Sequence, residues 1–119
     1  MIFTESLRKN IQFQNVYKNG KSYGNKLFVM YVLKNGSEGN RIGISVSKKV
    51  GNSVIRHRVK RLVLENYRLQ EKVFNSGLDI VVIARPGAAT ASFVEVERAL
   101  MYLGNRLNII NTDINNKEE

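Results

Sequence analysis

The chain contains no cysteine, which excludes disulfides and thiolate metal sites and makes the cytoplasm the expected compartment. It has no apolar run near the roughly 20 residues of a membrane helix. The longest, Leu27 to Leu33, has the length of a buried strand, and no membrane partner is expected. The opening residues, MIFTESLRKN, lack the apolar segment of a secretory signal. Histidine occurs once, as His57, with no partner at a visible spacing for general acid/base work. The carboxylates are scattered, so the clustered acids of a self-sufficient Mg²⁺ nuclease are missing. No catalytic residue and no metal ligand is expected in this chain.

Acid is also missing locally. No Asp or Glu falls between Glu38 and Glu65. Residues 1–61 hold 13 basic and 2 acidic side chains, net +11, while residues 62–119 hold 6 and 8, net −2. Such self-repulsion costs stability unless a polyanion neutralises it, and nucleic acid is the first partner to consider. A length of 119 residues suits one domain spanning 1–119. Its ordered core is expected over about 7–107, with a frayed polar tail over 108–119.

The pattern predicts α+β with element order α-β-β-α-β-α, helices packed on a small mixed sheet in a two-layer sandwich. Asn10 is expected to cap a helix running to Asn19, with Gly20 just past its end. Leu27–Leu33 reads as a strand and Lys34–Asn40 as a hairpin connection. Arg41–Ser47 alternates, with Ile42, Ile44 and Val46 on one side and Arg41, Gly43, Ser45 and Ser47 on the other. A helix begins after Gly51, Asn52 and Ser53 and runs to about Leu69. Leu78–Ala84 is a further strand. Ser92 with Glu95 forms a capping box for a last helix whose stripe is Val96, Ala99, Leu100, Leu103 and Leu107.

The segment SVSKKVGNSVIRHRVKRL, residues 45–62, carries the strongest signal. On a helical wheel Ile55, Val59, Leu62, Asn66 and Leu69 form the inward stripe. Arg56 and Lys60 lie on one flank, Arg58 and Arg61 on the other. A helix start favours acids, yet its first two turns here hold Arg56, Arg58 and Lys60. Free backbone N–H groups and arginines facing phosphate make sense of that choice. Long basic side chains shielding an apolar stripe are the structural alternative. Phe13 and Tyr17, four apart on a helix, place their rings side by side. With Tyr31 and the small residues Gly43, Ser45 and Ser47 they can form a shallow platform on which single-stranded RNA stacks. Packing in the core is the other reading of Phe13.

The same segment resembles the arginine-rich signature of the bacterial ribonuclease P protein family. It stands here as Arg56, His57 and Arg58, led by Ser47, Lys48, Lys49, Val50, Gly51 and Asn52. LRKNIQFQNVYKNGKSYGNKLFVMYVL and the strand Ile80–Arg85 resemble the family too. His57 stands where the family more often has Asn. The resemblance covers about residues 7–107. It implies an α/β sandwich with a left-handed crossover, the arrangement of the second domain of ribosomal protein S5. It implies a protein subunit of an endoribonuclease that removes the 5′ leader of precursor tRNA, with the hydrolysis and its Mg²⁺ belonging to the RNA subunit. Lys48, Lys49, Asn52, Arg56, His57, Arg58, Lys60 and Arg61 are implied contacts to that RNA, and sulfate or phosphate is expected at the same helix. Phe13, Tyr17, Tyr31, Ser45 and Ser47 are implied to line the leader cleft. A ribosomal-protein-like RNA-binding scaffold with no part in cleavage is the reading that charge and fold leave open. A helix-turn-helix DNA binder is disfavoured, because a strand precedes the basic helix.

Overall fold

Ile80, Val81 and Val82 are buried in succession, although neighbouring side chains on a strand point to opposite faces. Such a strand needs protein on both faces. The structure, a computed structural model describing residues 2–111, places it at the centre of a five-stranded sheet. The elements are β1 (Thr4–Ser6), α1 (Asn10–Asn19), β2 (Lys21–Gly24), β3 (Phe28–Lys34), β4 (Asn40–Ser45), α2 (Ser53–Gln70), β5 (Leu78–Ala84) and α3 (Phe93–Arg106). Short 3₁₀ turns follow α2 and β5 at Glu71–Val73 and Pro86–Thr90. The strand order is β1-β4-β5-β3-β2. β4 runs parallel to both β1 and β5, and β3 runs antiparallel to both β5 and β2.

The α+β class with a small mixed sheet is as the sequence indicates, and three differences refine it. First, Lys34–Asn40 is not a hairpin connection, because β5 lies between β3 and β4. An all-apolar strand takes the two-sided position and displaces the pairing suggested by sequence proximity. Second, β1 and β2 are additional. They are three and four residues long, and their side chains are mostly exposed. Edge pairing rather than burial defines them, so they leave no periodic trace. Third, the helices occupy both faces. α2 and α3 cover Phe28, Met30, Val32, Ile42, Ile80, Val82 and Ala84. Phe13, Val16 and Tyr17 of α1 pack with Leu7, Tyr31, Leu33, Val81 and Ile83 on the other face. The sandwich thus gains a partial third layer.

Local details shift as well. The N-cap of α1 is Lys9 rather than Asn10, and the Gln12 side chain accepts the backbone N–H groups of Arg8 and Lys9 at 3.1 Å. Gly20 ends α1 where a Cβ would lie 2.6 Å from the carbonyl oxygens of both Val16 and Val32. The buried face of α2 is Val59, Val63, Asn66 and Tyr67, and Leu69 is 54% exposed. The inward stripe therefore drifts off Leu69 towards the end of the helix, because about 3.6 residues per turn rotates any fixed spacing. The ordered core extends beyond residue 107. Ile109 and Ile110 are buried, and Ile110 bridges to Phe74. The tail expected from Asn108 is thus packed as far as Asn111, and residues 112–119 lie outside the described residues.

A polar clasp fixes β1. Buried Glu71 accepts the backbone N–H groups of Ile2 at 2.6 Å and Phe3 at 3.3 Å. The Thr4 hydroxyl pairs with Tyr67 Oη at 2.8 Å, and Tyr67 Oη accepts from the buried Asn40 amide at 3.1 Å. Burial acts to raise the Glu71 carboxyl, but these donors outweigh it and hold the group below the usual glutamate range. A depressed carboxyl stabilises the fold above its unfolded pKa, and that contribution is lost as pH falls through the folded value. Wild type is therefore expected to be more stable than Glu71→Gln at pH 7. Urea melts should show the gap closing as pH drops below about 4.3; a gap that persists at pH 2 would remove the carboxylate from the clasp.

Candidate nucleic-acid interface

Two features adjoin across the open end of β4. The first is the cleft between α1 and the sheet. Tyr17 and Tyr31 meet edge-on with ring centroids 5.1 Å apart, and Phe13 lies 6.3 Å from Tyr17. Phe13 sits directly over Gly43, where a Cβ would come within 2.5 Å of its ring. All three rings are half-buried, so each keeps a surface for a ligand. Phe13 thus combines its two sequence readings, core support and cleft wall. Burial pushes the Tyr17 phenol up, Tyr31 adds to this, and a hydrogen bond with Ser45 pulls against it. Ser45 therefore belongs to the cleft. Ser47 does not join the platform; it lies past the end of β4, exposed, with its carbonyl accepting the Val50 N–H at 3.1 Å.

The second feature is the start of α2. Asn52 is its N-cap, and its side chain accepts the Ile55 N–H at 3.0 Å. The exposed Lys48 and Lys49 precede it in a turn. Arg56 and Lys60 share a depression with Ile44, Val46, Ser53 and His57. Through Ile44 and Lys60 this runs into a second depression lined by Ser6, Leu7, Arg8, Phe13, Gly43 and Leu64. The two open onto each other because β1 pairs only as far as Ile42, leaving the outer edge of β4 free beyond it. Arg8 is a basic residue of this junction that sequence reasoning missed; its position just ahead of α1 was the available signal.

The two arginines of the signature are held differently. The guanidinium of Arg58 donates to the backbone carbonyls of Ala91 at 2.8 Å and Ala89 at 3.3 Å, tying α2 to the turn after β5. Arg56 is half-buried, and its Nε has no hydrogen-bond partner among the described residues. Arg61 is exposed on the Arg58 side of the helix, away from the cleft.

Most described carboxylates are committed internally: Asp79 to Arg41, Glu65 to Arg68, Glu95 to Ser92 and Glu71 to β1. Among the described residues, no three His, Asp or Glu side chains gather as a metal site, and no helix is long and apolar enough to cross a membrane.

The sequence model of the Ribonuclease P family matches residues 1–108. The chain belongs to the ribonuclease P protein family. The ribonuclease P protein component of Lachnoclostridium phytofermentans is 56% identical over 109 residues, covering 92% of this chain and 94% of that one. That of Alkaliphilus oremlandii is 49% identical over 108 residues, covering 91% and 95%. The RNase P protein of Staphylococcus aureus superposes with a TM-score of 0.82 at 36% identity, over 89% of this chain and 97% of that chain. The RNase P protein of Thermotoga maritima gives 0.76 at 36% identity, over 87% and 94%. Family membership makes this a bacterial tRNA-processing protein, a component of an endoribonuclease.

The contrast between the two arginines leaves Arg56 available to a ligand and commits Arg58 to the fold. Arg56→Ala is expected to lower the log–log salt slope of RNA binding by about 0.7–0.9, the value of one neutralised phosphate, with little change in stability. Arg58→Ala is expected to cost about 1 kcal/mol of folding stability, with the smaller change in slope. Salt titrations and urea melts of both variants check this; indistinguishable variants would erase the distinction.

Proposed function

We propose that this chain is the RNA-binding subunit of ribonuclease P and assists a catalytic RNA in removing the 5′ leader from precursor tRNA. One observation carries the reading: an aromatic cleft and a basic helix start open into one another at the free end of β4. The cleft suits a single strand, because rings with an open surface stack any base. The helix start suits structured RNA, because Lys48, Lys49, Arg56, His57 and Lys60 present charge and donors to phosphates with no acid among them. Binding both at once places the leader junction beside the ribozyme. Arg61 and Arg58 extend the basic surface around α2, and Asn52 holds its first turn.

Hydrolysis would belong to the RNA subunit, where bound Mg²⁺ would activate the attacking water and stabilise the leaving oxygen. This chain's committed carboxylates fit the role of a partner that orients RNA and leaves metal binding to it. Sulfate or phosphate should occupy the Lys48, Lys49 and Arg56 region in place of RNA phosphate. The site of action is the cytoplasm.

The test is reconstitution with the cognate RNA subunit and a precursor tRNA at low Mg²⁺. Cleavage is expected only with protein and RNA together. Unchanged cleavage by RNA alone, with the protein bound but without effect, would favour a scaffold.

A further inference from the structure

We infer that the outward face of α3, together with β2, is a second binding surface for single-stranded RNA, on the opposite side of the sheet from the α1 cleft. The observation is a basic–aromatic–basic stripe. Arg98, Tyr102 and Arg106 recur at intervals of four, so they align along one face of a helix. All three are exposed, and Tyr102 keeps 49% of its surface in solvent. Beside them Tyr23 meets Tyr102 edge-on at 6.2 Å, and the Arg106 guanidinium lies 4.7 Å over the Tyr23 ring. Lys21 is two residues from Tyr23 and so points to the same side of β2. β2 is the last strand of the sheet, so no described strand pairs with its outer edge.

Internal packing accounts for Tyr23 and one face of Arg106. It leaves half of Tyr102 in water, and Arg98 and Lys21 exposed beside it. The described acids of α3 offset this charge only in part. Glu95, bound into the capping box with Ser92, also attracts Arg98 one turn on, while Glu97 is half-buried toward Asn66, Tyr67 and Gln70 of α2. A half-exposed tyrosine flanked by arginines about one helical turn away on either side offers a base a stacking face and its two phosphates a cation each. An extended single strand has that chemistry, and a duplex, whose bases are already stacked, does not.

Two strands can supply it: the upstream part of a long leader, or an unpaired segment of the RNA subunit. Neither depends on what the α1 cleft holds. The test measures affinity of Tyr102→Ala, Tyr102→Phe and the Arg98→Gln/Arg106→Gln double variant in the reconstituted holoenzyme. The ligands are precursor tRNA with a leader of a few nucleotides, the same tRNA with a leader several times longer, and, for the protein alone, the RNA subunit. Tyr102→Ala and the double variant are expected to weaken one of these complexes about fivefold or more, while Tyr102→Phe retains affinity. Loss confined to the long leader names the leader as the source, and loss confined to the RNA subunit names the ribozyme. Tyr31→Ala run in parallel reports on the cleft alone, so failure there and failure here are read separately. Wild-type affinity for all three RNAs in both Tyr102→Ala and the double variant would overturn the inference. So would a change confined to self-association in sedimentation, which would assign the face to a second copy.

Discussion

Arg41→Met is expected to be the most damaging single substitution among the described residues outside the apolar core. Asp79 is 1% exposed, and its carboxylate is gripped by Arg41 through Nε at 2.8 Å and Nη2 at 2.6 Å. Removing the guanidinium leaves a buried negative charge with only the Asn35 amide, 3.1 Å away. Stranding a buried charge costs about 3–5 kcal/mol. The lower end applies here, because the Arg41 side chain is itself 35% exposed. Even about 3 kcal/mol is a large share of the roughly 5–15 kcal/mol that a small domain holds. The pair also joins β4 to β5, the parallel seam in the middle of the sheet. Urea denaturation should show the loss, and an Arg41→Met/Asp79→Leu double variant should recover most of it by removing the orphaned charge. A single variant within about 1 kcal/mol of wild type would show that water reaches Asp79 after all.

The second large effect concerns discrimination between precursor and mature tRNA. Tyr31→Ala is expected to weaken precursor binding by about 1–3 kcal/mol, roughly 5- to 150-fold, and to leave mature tRNA unchanged. The ring stands on β3 at the floor of the α1 cleft, edge-on to Tyr17, and is half-buried. Its removal deletes a stacking surface and frees Tyr17 to move. Gly43→Val supplies an independent check from the opposite wall. Its Cβ alone would overlap the Phe13 ring at 2.5 Å, so the ring must leave its seat and the cleft must change shape. Equal weakening of precursor and mature tRNA by Tyr31→Ala would place the leader outside the cleft.

The cleft and the basic helix were legible from the sequence because periodicity and composition record them. Phe13 and Tyr17 stand four apart, and the acid-free window around Arg56 is a matter of counting. What the sequence concealed was pairing and support. Nothing in TES at residues 4–6 marks a strand, because β1 exists through its parallel register with Asn40–Ile42 and through the Glu71 clasp, which reaches Phe3 across 68 residues of chain. Arg58 looked equivalent to Arg56, since a wheel shows which flank a side chain occupies but not that the carbonyls of Ala89 and Ala91 wait there. Ser47 matched the alternation of β4, yet β4 stops at Ser45 and the chain turns toward α2. Arg98 and Tyr102 were overshadowed by the net negative charge of the second half of the chain, which averages over faces that the fold separates.

The position of β5 governs how the protein can come into being. β3 and β4 are neighbours in the chain but never partners, because the strand between them begins only at Leu78. The two central seams, β4–β5 and β5–β3, therefore wait for it, and such distant pairings are slow to form. During synthesis, residues 1–61 emerge with net +11 and no centre to fold around. At ordinary translation rates the stretch from Ser45 to Leu78 takes roughly 2–7 s to make. For that interval a nascent chain is a polycation without its central strand, and so is a fragment truncated before Leu78.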